Sequence, residues 1–344
     1  MRRVRTAVRF PMWSVALLAL LLAPGLAGAA GDRVHRIELI VFRGCEEACN
    51  GFRDMMKSSG LRHELVIHDA ATDATRIPGF VAEIRERRPD LVVTWGTTTA
   101  LTVFGPHDAV DPAKHIVDIP GVFMIVSQPV DAKVVPSFES SRRNITGTSY
   151  LVPEKQQLEA ALSYMRFRRV GVLFNPAEAN SVINVDLLRG EAGKMGIEVV
   201  DRPIPKDADG KPDVAAIAPL VAELAKARVD LVYQGADSFL NINRQALTEA
   251  AVDNRLPVFA AGPASVYTGS ALMAVANEYY VVGQLTALKA AAVLRGADPA
   301  SIPIEAPARF AFLVNLPIAH RLGLYPPLQL IRFAKFVTPD AKTP

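Results

Sequence analysis

With 344 residues, 50% of them hydrophobic and 21% charged, the chain is long enough for two domains with sizeable cores. It has no low-complexity or long single-sign tract, which excludes disorder for any large part. The formal charge of +3 belongs to the first thirty residues: without their four arginines, 34 basic residues face 35 acidic ones, a net charge of −1. No run of four Lys/Arg occurs either, so nothing suggests a nucleic-acid partner and none is expected.

Residues 1–30, MRRVRTAVRFPMWSVALLALLLAPGLAGAA, set Arg2, Arg3, Arg5 and Arg9 before an apolar stretch, then Pro24, Gly25 and the small residues AGAA. This is the layout of a cleaved signal peptide. The apolar stretch from Met12 is near the lower limit for spanning a bilayer, and the Pro-Gly break favours cleavage over a retained anchor. No Cys follows closely enough to be lipidated, so export to the periplasm is expected. Cys45 and Cys49 are the only cysteines. An oxidising compartment permits a disulfide between them, and an i, i+4 helical spacing of about 6 Å allows it; two free thiols are the alternative. Two thiolates without a His pair are too few for structural zinc, so no metal is expected.

From Arg36 onward strands and helices alternate. RIELIVF (36–42) reads as a strand, GFRDMMKSSG (51–60) as the end of a helix and ELVIHDA (64–70) as a strand. A helix at 79–88, a strand at 90–95, a helix within TTTALTVF (97–104) and a strand at 121–127 follow. Short continuous apolar strands between amphipathic helices predict a parallel sheet covered on both faces. The pattern then restarts. Helices are expected at 153–165 with Pro153 in the first turn, 185–196, 214–227 and 244–254. Strands are expected at 169–175, 197–204, 230–235 and 256–262. FVAEIRERRPDLVV (80–93) returns as LVAELAKARVDLVY (220–233), with Val81, Ala82, Glu83, Arg88, Asp90, Leu91 and Val92 recurring 140 residues later. One α/β architecture built twice is the reading. Two such sheets, each binding outside the carboxyl ends of its strands, would enclose a cleft.

The loops at those ends are polar without being basic. Gly96 permits a sharp turn, and Thr97 or Thr98 is expected to cap the next helix, whose free amides suit a carboxylate. Ser127 and Gln128, Asn180 and Ser181, Gln234, Asp237 and Ser238, and Asn277, Glu278 and Tyr279 occupy the others. An ammonium would lie near Glu278 or Asp237, with Trp95, Phe42, Tyr150 and Phe239 as candidates for an apolar wall. No Gly-x-Ser-x-Gly, His-Glu-x-x-His, P-loop or Gly-x-Gly-x-x-Gly occurs, and no His lies in these loops. Binding without catalysis and without a cofactor is expected.

NITGTSYLVPEKQQLEAA (144–161), RVGVLFNPAEANS (169–181), DLVVTWGTTTA (90–100) and ARFAFLVNLPIAHRLGL (308–324) closely resemble the substrate-binding proteins of ABC transporters. The similar branch has the type I periplasmic-binding fold and includes binders of tryptophan and other aromatic amino acids; the likeness covers about 33–328. It implies two Rossmann-like lobes joined by three crossovers, with a ligand cleft between them. Lobe I would be 33–147 plus 278–310, lobe II 148–277 plus 311–328, and 329–344 a tail. The family's pocket loops fall on Gly96, Thr97, Thr98, Ser127, Asn180, Ser181, Asp237, Glu278 and Tyr279. Small polar residues are usual after the first strand; here Arg43 stands there, available to a ligand acid. The implied function is the periplasmic solute-binding component of an ABC importer, monomeric, taking an amino acid or related carboxylate to a permease in the inner membrane. The alternative is a periplasmic sensor subunit signalling to a membrane kinase.

Overall fold

A parallel sheet forms from β1 (His35–Val41), β2 (His63–Asp69), β3 (Leu91–Trp95), β4 (Gly121–Val126) and β5 (Ile145–Ser149), in the order β2-β1-β3-β4-β5. The structure is a computed structural model describing residues 33–338; the expected signal peptide lies outside them. The residues of β3 and β4 are buried throughout. A strand with helices on both faces has no solvent side, which is why these segments read as unbroken apolar runs. Helices α1 (Glu47–Ser58), α2 (Ile77–Arg87) and α3 (Thr97–Phe104) connect the strands.

The second sheet repeats this order. α4 (Glu154–Tyr164) leads into β6 (Arg169–Phe174), α5 (Ala179–Lys194), β7 (Glu198–Pro203), α6 (Ile217–Lys226) and β8 (Leu231–Gln234). α7 (Ser238–Ile242), α8 (Arg244–Asp253), β9 (Val258–Ala260), α9 (Ala264–Tyr267) and β10 (Met273–Ala276) follow. α10 (Tyr279–Leu294) then returns to pack on α1, β4 and β5 of the first lobe. Finally β11 (Ala311–Asn315), α11 (Leu316–Leu322) and β12 (Ala334–Val337) rejoin the second sheet, ordered β12-β11-β10-β9-β8-β6-β7. The chain thus passes between lobes three times. The first division expected from sequence, after residue 147, falls inside β5.

The recurrence at a spacing of 140 has a structural cause. Asp73 and Asp213 each cap a short 3-10 turn. Ile77 and Ile217, Val81 and Val221, and Ile84 and Leu224 are buried against their sheets. Arg88 and Arg228 both end helices with left-handed backbone. Asp90 accepts from the Arg36 amide at 2.8 Å, and Asp230 from the Arg168 and Arg169 amides at 2.7 and 2.8 Å, tying each third strand to the first.

Several elements differ from the sequence reading. Pro153 stands at the N-cap of α4 rather than inside its first turn, while α1, whose end was expected within 51–60, runs from Glu47 to Ser58. β5 carries no apolar run, yet all its residues are buried. Its hydroxyls are satisfied in place: Thr146 donates to the Ile302 carbonyl, Thr148 pairs with Thr286, and Ser149 donates to the Ser127 carbonyl. Part of the expected tail is not a tail, because Ala334–Val337 form β12, parallel to β11 at the sheet edge.

Candidate ligand-binding cleft

In an open parallel sheet the loops part where strand order reverses, leaving a crevice at the carboxyl ends. Here that point lies between β1 and β3 in one lobe and between β6 and β8 in the other. Segments leaving those four strands converge on one cleft of about 590 Å³, counted out to its mouth.

Gly96 turns the chain from β3 into α3 at φ 91, a conformation open to glycine without strain. Gly96 itself occupies the N-cap, so Thr97 and Thr98 lie inside the first turn and neither caps the helix, contrary to expectation. The first amides of α3 therefore have no side-chain cap and remain positively polarised donors. Thr99 Oγ1, Ser127 Oγ and Trp95 Nε1 are buried without a hydrogen-bond partner, as is Gln234 Oε1 on the other lobe. All four residues line the cleft. Buried polar groups are nearly always paired, so four such atoms around one cavity are where a ligand or water can supply the missing bonds. β4 loses register beyond Phe123, and Ile125 has a left-handed φ of 55, which is strained for a β-branched residue. This irregular end of β4 supplies Ile125 and Ser127 to the wall.

On lobe II a buried acidic pair organises the floor. Asp237 accepts from the Asn175 amide at 2.7 Å, the Ser181 hydroxyl at 2.6 Å and the Leu240 amide at 2.7 Å, capping α7. Glu178 accepts from the Asn175 and Asn180 side chains and from the Ser238 and Phe239 amides. Asn180 also donates to the Ala236 carbonyl at 2.7 Å, which turns its amide toward the same loop. Burial, with the Glu178 charge second, pushes the Asp237 carboxyl up to about 6. The folded chain therefore holds this proton more tightly than the unfolded chain, whose ordinary value is 3.8. The Asp237 contribution to stability is full below about pH 4 and is lost as pH rises through about 6. Asp237→Asn is expected to flatten that fall, read from urea midpoints at pH 4.5 and 7.5. An unchanged difference between the two midpoints would exclude Asp237 as its source.

Of the residues expected from sequence, Arg43, Gly96, Thr97, Thr98, Ser127, Asn180, Gln234, Asp237 and Tyr279 line the cleft. Ser181 does not: its hydroxyl is spent on Asp237, which it holds in place. Glu278 does not either. At the N-cap of α10 it accepts from the Tyr267 hydroxyl at 2.6 Å and pairs with Lys335 of β12 at 3.3 Å, facing the sheet edge. Phe42, Trp95 and Tyr150 reach the cleft, whereas Phe239 packs against the lobe II core. Tyr150 and Tyr279, both on crossovers, meet edge to face with centroids 5.2 Å apart. Burial raises both phenols, which therefore stay protonated donors. Arg43 already has a carboxylate partner in Glu46. Sequence reasoning missed Glu178; an acid just before a helix whose next residues are polar was the available signal.

A family model described as ABC transporter substrate binding protein matches residues 36–337. A tyrosine-binding protein of Clostridioides difficile (strain R20291) is 24% identical over 283 residues, 81% of this chain and 77% of that protein. A Vibrio cholerae conserved domain protein of known structure superimposes with a TM-score of 0.78 at 24% identity, over 89% of this chain and 100% of that one. An ABC domain from Streptococcus pneumonia in complex with L-Trp gives 0.77 at 21%, with the same coverage. A ligand-free, open substrate-binding protein with adhesive properties from Clostridium difficile gives 0.65 at 23%, over 88% of this chain and 99% of that one.

Proposed function

The chain belongs to the ABC transporter substrate-binding protein family, and from that premise we propose that it is the extracytoplasmic solute-binding component of an importer, closing its two lobes on an amino acid or related carboxylate. The observation that carries this is the set of four unpartnered buried atoms, Trp95 Nε1, Thr99 Oγ1, Ser127 Oγ and Gln234 Oε1, set on both lobes around one cleft. Three of them and the uncapped amides of α3 stand on lobe I, where a carboxylate gains most. Gln234 Oε1 on lobe II is an acceptor with a free lone pair, suited to an ammonium. Trp95, Tyr150 and Tyr279 offer flat apolar surface for an aromatic side chain. The tyrosine-binding relative and the L-Trp complex are consistent with that class.

The mechanism is binding and release, with no bond made or broken. A ligand that bonds both lobes favours the closed state by its differential affinity, and a permease in the inner membrane reads the surface both lobes then form. The protein acts as a monomer in the periplasm. Thermal melting of the ligand-stripped protein against aromatic amino acids, other amino acids and small carboxylates tests this. A ligand at a hundred times its Kd adds about 2.7 kcal/mol and raises the midpoint in proportion to the logarithm of its concentration. A shift with L-tyrosine, L-tryptophan or L-phenylalanine is expected. No shift with any amino acid or carboxylate would reject the proposed class.

A further inference from the structure

We propose that Glu46, held at the head of α1 by the Cys45–Cys49 disulfide, positions Arg43 over Trp95 and so fixes the lobe I wall of the cleft. The Arg43 side chain is only 6% exposed, and its guanidinium carbon lies 4.7 Å from the Trp95 ring centroid. A buried cation of this kind needs a counter-charge and filled hydrogen bonds. Glu46 supplies the counter-charge and two of the bonds, accepting from Arg43 Nε at 2.9 Å and from Nη2 at 3.0 Å. Such a two-bonded pair sets the plane of the guanidinium as well as its position. Among the described residues Nη1 makes no hydrogen bond, so it is the nitrogen left for a ligand oxygen.

The location of Glu46 is what makes the disulfide matter. It is the N-cap residue of α1, yet its side chain caps nothing, because the carboxylate is given to Arg43. It also lies inside the short loop closed by Cys45 and Cys49, whose Cα atoms are 5.1 Å apart. Cys49 is fully buried on the core face of α1, so the link ties the loop after β1 to a helix that cannot shift. Apart from it, among the described residues, the backbone of 43–46 is tied to the rest of lobe I outside the first helical turn by the bond from the Gly44 amide to Asp69. Two long side chains held in advance cost less order when a ligand arrives than two that must be frozen on binding. Arg43 acts on the ligand, whereas Glu46 and the disulfide are positioning groups. The consequence for affinity rests on the cleft being the ligand site; the positioning itself does not.

Trp95 makes this testable without a ligand. The chain has two tryptophans, and Trp13 falls in the expected signal peptide, so the protein produced without residues 1–30 has Trp95 as its only one. In that background, acrylamide quenching of Trp95 is measured for the parent, Glu46→Gln, Glu46→Asp, Arg43→Leu and Cys45→Ser with Cys49→Ser. Far-UV circular dichroism checks the fold of each. Glu46→Gln and the cysteine pair are each expected to raise the quenching constant by about twofold, toward the Arg43→Leu value, as the loop opens locally. Glu46→Asp should recover part of the protection. If the cysteine pair does not fold, Glu46→Gln still decides, since it leaves the disulfide intact. Parent-like quenching in Glu46→Gln beside a raised value in Arg43→Leu would overturn the positioning role. A ligand screen that fails leaves this measurement untouched, so the two readings fail separately.

Discussion

Gly283→Val is expected to cost about 3 kcal/mol or more of stability, read as a lower urea midpoint, although valine is the better helix former of the two. A Cβ at Gly283 would stand 1.9 Å from the Ala48 carbonyl oxygen and 2.8 Å from the Phe52 amide nitrogen. Both are backbone atoms of α1 and cannot swing aside. On the facing helix, a Cβ at Gly51 would meet the Tyr280 carbonyl oxygen at 2.0 Å. Two glycines thus let α1 and α10 touch backbone to backbone, and any side chain there must push the helices apart. The effect reaches the cleft, because α1 follows the loop bearing Arg43 and α10 begins with Tyr279. Equal stability of Gly283→Ala and the parent would mean that this contact yields easily.

Thr97→Ala with Thr98→Ala is expected to weaken ligand binding at least tenfold, about 1.4 kcal/mol, without unfolding the protein. Both residues line the cleft in the first turn of α3, and neither caps that helix, so their hydroxyls are not needed to build it. Calorimetry with whichever ligand the melting screen identifies measures the loss. Unchanged affinity would reduce this turn's contribution to its backbone amides alone. A lower melting point of the unliganded variant would instead assign the hydroxyls to the fold.

The alternation of apolar strands and amphipathic helices was legible because central strands such as β3 and β4 are buried on both faces, and burial on both faces leaves a mark in the sequence. β5 left none. Its ITGTS segment is polar and buried together, with Thr146, Thr148 and Ser149 finding partners in segments distant along the chain, a fact no local window contains. β12 was unreadable for a similar reason: AKFV becomes a strand only because β11 offers it an edge. In the cleft, loops at strand ends were predictable from topology, and most polar residues on them do face inward. What could not be read was how each side chain divides its bonds. Ser181 and Glu278 sit beside the cleft in sequence but are claimed by Asp237 and by Tyr267 with Lys335. Glu178 was overlooked because its role is to hold four donors from two segments far apart in the chain, a geometry that spacing does not encode.

The shared strand order of the two sheets has a last consequence. β2-β1-β3-β4-β5 and β7-β6-β8-β9-β10 are the same arrangement written twice. A receptor assembled from two identical halves would offer a ligand the same chemistry from each side and would suit a molecule with matching ends. This chain holds the halves alike where they build sheets and lets them differ at the four segments that leave the switch strands. One carries a guanidinium, another three hydroxyls in a row, and the two of the opposite half share an acidic pair. Under the proposed function, the two ends of a lopsided solute would meet different chemistry in the two halves, on a scaffold that is the same beneath both.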